Sequence, residues 1–71
     1  MDSDRKEKLV RLLDYWIEHN DEHGAEFSEW AQEVTGPEDA GIRDELTKAF
    51  EGMGEVNAHL RTALEKLKSQ G

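Results

Sequence analysis

The segment TGPED, from Thr35 to Asp39, is the clearest helix boundary in this sequence. Gly36 is typical of the residue just past a helix C-terminus. Pro37 suits the first position of the next helix, because proline has a φ angle close to the helical value and the first helical N–H needs no intrahelical partner. We therefore expect one helix to end near residue 35 and another to begin at residue 37.

The segment after this boundary predicts one long helix, over about residues 37–69. Its apolar side chains alternate in steps of four and three, which is the pattern of a heptad seam. They are Ile42, Leu46, Ala49, Met53, Val56, Leu60, Ala63 and Leu67, and a second line beside them contains Phe50, Asn57 and Leu64. Asn57 occupies a position where an apolar residue is expected. It is either a buried asparagine that fixes helix register or oligomeric state, or an asparagine that faces solvent.

The segment before the boundary predicts two shorter helices, over about residues 4–19 and 21–35, each with apolar residues at helical spacing. We expect Ser3 to cap the first of them. Asparagine caps helix starts and tolerates left-handed backbone, so a tight turn is expected at Asn20–Asp21. The alternative places the turn at Gly24, with Ser28 capping a shorter second helix.

These elements predict a single all-α domain over residues 1–71, an up-down-up three-helix bundle with a long heptad-patterned C-terminal helix. The two shorter helices are expected to pack on the seam through Leu9, Leu13, Trp16, Ile17, Phe27, Trp30 and Val34. At 1.5 Å per residue the last helix is about 50 Å long, roughly twice the length of the others. Either it bends at Gly52 and Gly54, or part of its seam is buried against another chain.

Composition limits the function classes. The chain has 71 residues, a net charge of −8 and no cysteine, so it has neither disulfides nor thiolate metal ligands. Its acidity argues against nucleic acid and membrane surfaces as partners, and no apolar run approaches a membrane span. No nucleophile or phosphate-loop motif is present. We expect a soluble, cytoplasmic, non-enzymatic protein that interacts with an unidentified protein partner or with itself, as a homodimer through the long helix.

The alternative function is the binding of a transition metal by His19 and His23. On one continuous helix, histidines four residues apart lie on the same face and can chelate one divalent ion such as zinc or nickel. Glu22, Glu26 or His59 would complete the ligand shell. If the chain instead turns at residue 20, both histidines flank the core at a helix corner and have a structural role. Without thiolates we expect any metal affinity to be modest.

The sequence resembles a group of small uncharacterised helical domains in bacteria and archaea with the pattern W-I-x-H-N-x-x-H-x-x-x-F-x-x-W-A. The matching residues are WIEHNDEH at 16–23, then Phe27, Trp30 and Ala31, and NAHL at 57–60 within a heptad helix. The resemblance covers most of the chain and implies a three-helix fold. Some of these domains accompany metal-handling proteins, which implies a metal role for His19 and His23. Gly24 and His59 depart from the pattern.

Overall fold

The computed structural model describes residues 1–70, which form a hairpin of two long antiparallel helices. Helix α1 covers Ser3–Glu33, helix α2 covers Ala40–Ser69, and a short 3-10 turn, Pro37–Asp39, lies between them. The all-helical class is confirmed, and residues 1–70 contain no strand. The three-helix bundle is wrong, because the chain from residue 3 to residue 33 is one uninterrupted helix of 31 residues.

Helix α1 begins one residue earlier than predicted. The Asp2 carboxylate accepts a hydrogen bond of 2.8 Å from the backbone N–H of Arg5, so Asp2 is the N-cap and Ser3 is the first helical residue. Aspartate and serine cap helices about equally well, so adjacent candidates are not separated by residue type alone. The carboxylate of Asp4 in the first turn is favourable to the helix dipole.

The predicted boundary at residues 35–39 is confirmed. Gly36 is extended, Pro37 opens the 3-10 turn, and the backbone N–H of Asp39 donates to the Gly36 carbonyl at 3.0 Å. The Arg43 guanidinium donates a 2.6 Å hydrogen bond to the carbonyl of Val34, at the end of α1. Because the last carbonyls of a helix lack intrahelical partners, this contact both caps α1 and fixes the start of α2 against it.

Neither predicted turn within α1 exists. The Asn20 side chain donates to Asn57 Oδ1 at 3.1 Å, so its amide makes a contact between helices rather than capping a new one. Gly24 is buried and helical, and a Cβ added there would lie 3.5 Å from the Cβ of Met53. That distance is ordinary van der Waals contact, so Gly24 packs against α2 from within a continuous helix. Tertiary contacts of this kind override local propensity, which is a weak prior.

Both helices contribute a heptad line to the contact between them, which we call the seam. In each line the residues alternate in steps of three and four, and all but Phe50 are buried or half-buried. The seam consists of Val10, Leu13, Ile17, Asn20, Gly24, Phe27, Ala31 and Val34 from α1, and Arg43, Leu46, Phe50, Met53, Asn57, Leu60, Leu64 and Leu67 from α2. The helices contain 31 and 30 residues, so the predicted mismatch in helix length is wrong.

The predicted core is only partly right. Leu13, Ile17, Phe27 and Val34 lie in the seam, but Leu9, Trp16 and Trp30 lie outside it. The two tryptophans are 39% and 64% exposed. No helix among residues 1–70 combines the length and the apolar character that a bilayer span requires.

Candidate interaction surface and histidine pair

The hairpin has two broad faces, one on each side of the seam, and one of them is polar. Its residues lie at seven-residue intervals on each helix, and all but Glu7, which lies one heptad before Asp14, directly follow a seam residue. This polar face consists of Glu7, Asp14, Asp21 and Ser28 from α1, and Thr47, Gly54, Arg61 and Lys68 from α2. Arg61 donates a 2.8 Å hydrogen bond to Asp21 Oδ2 across this face, which shows that these two lines of residues lie side by side.

The opposite face is apolar, and both helices contribute to it. Its residues directly precede a seam residue, again at seven-residue intervals. This apolar face consists of Leu9, Trp16, His23 and Trp30 from α1, and Ile42, Ala49, Val56 and Ala63 from α2. It contains no Asp, Glu, Lys or Arg. Ile42 and Val56 are 56% and 47% exposed, so large apolar side chains remain in contact with water here.

The sequence contained the signal for this face, but its meaning was missed. The predicted seam of the last helix combined two lines that the structure separates. Leu46, Met53, Leu60 and Leu67 belong to the seam, whereas Ile42, Ala49, Val56 and Ala63 belong to the apolar face. Two adjacent apolar lines on one helix indicate contacts with two different surfaces, and each line faces one of them. Sequence reasoning assigned both lines to a single contact.

Asn57 lies in the middle of the seam and is fully buried. Its Nδ2 donates to the carbonyl of Ile17 at 2.9 Å and to Asp21 Oδ1 at 2.7 Å, and its Oδ1 accepts from Asn20 at 3.1 Å. Every hydrogen-bonding atom that Asn57 buries therefore has a partner, as a buried amide requires. Of the two sequence-based alternatives, the buried asparagine is confirmed, and its partners pair specific residues of the two helices.

His19 and His23 lie one turn apart on α1, with their Nε2 atoms 3.1 Å apart. The His19 ring stacks on Tyr15 with centroids 5.4 Å apart, and the His23 ring stacks on Phe27 at 6.2 Å. The two imidazoles are nearly perpendicular to each other, with centroids 4.5 Å apart. These contacts order the two rings so that one nitrogen of each points toward the other.

The remaining predicted ligands are placed differently. Glu26 Oε1 lies 4.0 Å from His23 Nδ1, on the side of the ring away from His19. Glu22 borders the same shallow depression as His19. His59 is an exposed residue of α2. Within the part of the chain that the structure describes, no three His, Asp or Glu side chains converge as a metal site. One chain therefore presents the histidine pair alone.

Comparison with known proteins identifies the family. A family model described as "Domain of unknown function (DUF8180)" matches residues 9–67, which span nearly both helices. An uncharacterized protein from Archaeoglobus fulgidus is 39% identical over 61 residues, covering 83% of this chain and 94% of the relative. No solved structure matches. The resemblance to a small uncharacterised domain is thus confirmed, and the chain belongs to the DUF8180 family.

Proposed function

We propose that this protein is a non-enzymatic self-association module, in which the apolar faces of two copies pack together as a homodimeric four-helix bundle. The observation that carries the proposal is the exposure of large apolar side chains from both helices on one face of the hairpin. Compared with the predicted dimer through the long helix, this interface uses α2 and α1 equally. Six of the eight residues of the apolar face are exposed, and this exposure replaces helix-length mismatch as the reason for association.

The size of the domain favours association. Within residues 1–70 only Leu13, Ala31 and Leu67 are buried apolar residues, which is a small core for a hairpin. Short chains bury a low share of their surface and gain most from added contacts. The hairpin measures 54 by 14 Å between Cα atoms, so one broad face covers about 760 Å². A standard protein interface buries ~800 Å² of accessible surface per partner, so a face with this outline is large enough to form one.

Charge selects which face two copies can share. Each copy carries a net charge of −8, so most contacts between copies would place carboxylates against carboxylates. The apolar face lacks acidic and basic side chains, and His23 is its only titratable residue. Two copies can therefore meet there without burying like charges, whose desolvation and repulsion would oppose association. The polar face, with three acids on α1, has no such advantage.

Charge also favours one orientation of the two copies. Residues 20–57, which form the half of the hairpin nearest the turn, carry eleven acids and two bases, and the other residues carry six acids and seven bases. The turn half therefore has a net charge of −9 and the open half +1. Packing with the turns at opposite ends places each turn half against an open half and separates the acidic regions. In this arrangement α1 packs on α1 of the second copy.

Sedimentation velocity of the parent and two variants tests the proposal. We expect the parent to sediment as a dimer of twice the 8.1 kDa chain at micromolar concentration. Ala49→Glu introduces a charge on the apolar face and should weaken dimerisation at least tenfold. Ala58→Glu makes the same change at an exposed position outside that face and should not. Circular dichroism checks that both variants remain helical.

Two outcomes would contradict the proposal. A monomeric parent at hundreds of micromolar would reject self-association, and a dimer that Ala49→Glu leaves intact would reject this face. A different protein on the apolar face would give a monomeric parent and a mixed complex that Ala49→Glu disrupts. A cytoplasmic location belongs to the same proposal and is compatible with a chain that contains no cysteine.

A further inference from the structure

The histidine pair has the geometry of a bidentate metal ligand. Two nitrogens that bind one ion at 2.0–2.1 Å and lie 3.1 Å apart subtend about 98° at the metal. That angle lies between the values for octahedral and tetrahedral coordination. Small rotations of the two side chains would bring it to either geometry, because His23 has a side chain that is 42% exposed.

The surroundings favour coordination through Nε2. In a histidine ligand, the nitrogen that does not bind the metal usually donates its N–H to a carboxylate, carbonyl or water, and this fixes the tautomer. Glu26 Oε1 lies 4.0 Å from His23 Nδ1, beyond hydrogen-bond distance, but a side-chain rotation would let it accept that N–H. A proton held on Nδ1 leaves the Nε2 lone pair directed toward His19. Imidazole nitrogens suit zinc, nickel and copper.

One chain supplies only two of the ligands that such a metal requires. The pair lies near the middle of the hairpin, because Asn20, which stands between the two histidines in sequence, is opposite Asn57 at the centre of the seam. His23 belongs to the apolar face, and His19 precedes it by one turn. In a dimer whose turns lie at opposite ends, the twofold axis passes through this middle region. Residues near such an axis meet their own copies.

We propose that His19 and His23 form a half-site for a divalent transition metal, completed by the same pair from the second copy. The ion would be held by four imidazole nitrogens at the dimer axis. This inference rests on the proposed dimer and on its orientation. The bound ion would join the two copies at the apolar face. Metal binding would therefore favour dimerisation, and dimerisation would favour metal binding to the same extent.

Zinc titration of the full chain, followed by calorimetry and sedimentation, tests the half-site. We expect one zinc per two chains and a dimer at least tenfold tighter with zinc than without it. His19→Ala and His23→Ala should each weaken zinc binding at least tenfold, whereas His59→Ala, which removes a histidine from α2, should not. Histidine ring resonances in NMR should shift for the first two residues and not for the third.

The outcomes separate this inference from the proposed function. A parent that dimerises without zinc and shows no zinc binding at 1 mM overturns the half-site alone. One zinc per chain, with no change in dimerisation, also overturns it. A parent that is monomeric without zinc but dimeric with one zinc per two chains supports the half-site and rejects metal-free association. Ala49→Glu should reduce zinc affinity toward that of a single pair, and unchanged affinity would contradict sharing.

Discussion

At the scale of single residues, Asn57 decides how the two helices are aligned. It is fully buried and hydrogen-bonded to Asn20, Asp21 and the backbone of Ile17. A shift of one heptad would move it away from all of these partners and leave a buried amide unsatisfied. An unsatisfied buried group costs about 1–3 kcal/mol, which is enough to select one register among similar apolar alignments.

Asn57→Ala should lower the free energy of unfolding by about 2–3 kcal/mol, because it removes three hydrogen bonds and leaves partners unpaired. Urea unfolding followed by circular dichroism measures the change. Arg61→Ala is the control, since it removes only the exposed Arg61–Asp21 pair and should cost less than about 1 kcal/mol. Equal losses in the two variants would show that the buried network has no special weight.

The sequence revealed Asn57 as an exception but gave no sign of its partner. A polar residue in a heptad line is easy to recognise, because the periodicity predicts an apolar residue at that position. Asn20 likewise lies in the heptad line of α1. Because asparagine also favours turns and caps, a turn was predicted there instead. Only the contact with Asn57, 37 residues away, distinguishes the two meanings. The close approach of His19 and His23 could not be predicted for the same reason, because it requires one continuous helix.

At the scale of elements, the continuity of α1 through Gly24 is the main departure from the sequence-based expectation. The predicted boundary at residues 35–39 was correct because Pro37 acts locally, through its fixed φ and its missing N–H. Gly24 was ambiguous because glycine also occurs where two helices come close. Its φ is not positive, so it has no left-handed role.

Gly24→Ala tests this continuity. In a continuous helix, alanine gains about 0.5–1 kcal/mol over glycine. The added Cβ would lie 3.5 Å from Met53 Cβ and 3.7 Å from Phe50, which is ordinary contact. We therefore expect the melting temperature to rise by a few degrees. Gly54→Ala, where an added Cβ meets nothing within 4 Å, should give a similar gain and serves as the reference.

A loss of stability in Gly24→Ala alone would count against the continuous helix. A glycine that ends a helix in the left-handed conformation is destabilised by alanine, because the Cβ then clashes with the backbone. The sign of the change, compared with that of Gly54→Ala, therefore separates the two arrangements of the N-terminal half.

At the scale of the whole molecule, the two faces of the hairpin differ in chemistry, and association is expected through one of them. The sequence predicted association, but for a different reason, since it compared helix lengths rather than faces. Which apolar line faces the partner helix and which faces solvent depends on the phase of both helices together. A single helix with two neighbouring apolar lines does not specify that phase.

Tryptophan fluorescence should report association directly. Trp16 and Trp30 lie on the apolar face and are 39% and 64% exposed in one copy. Burial in the dimer removes water from their indoles, so emission should shift to shorter wavelength as concentration rises. Trp30→Phe should remove most of the shift, and Ala49→Glu should abolish it. A dimer by sedimentation with a constant emission wavelength would place the interface elsewhere.

The turn at residues 35–39 also determines the order in which the hairpin closes. It joins residues as near in sequence as Val34 and Arg43, nine positions apart, whereas Asn20 and Asn57 are 37 apart. Closing the longer loop costs about 1.3 kcal/mol more in chain entropy. We therefore expect the helices to associate first near the turn and then toward the free ends, and to fray first at those ends. In the proposed dimer, whose turns lie at opposite ends, the free ends of each copy would lie beside the turn of the other copy. Contact with the turn would stabilise those ends against fraying.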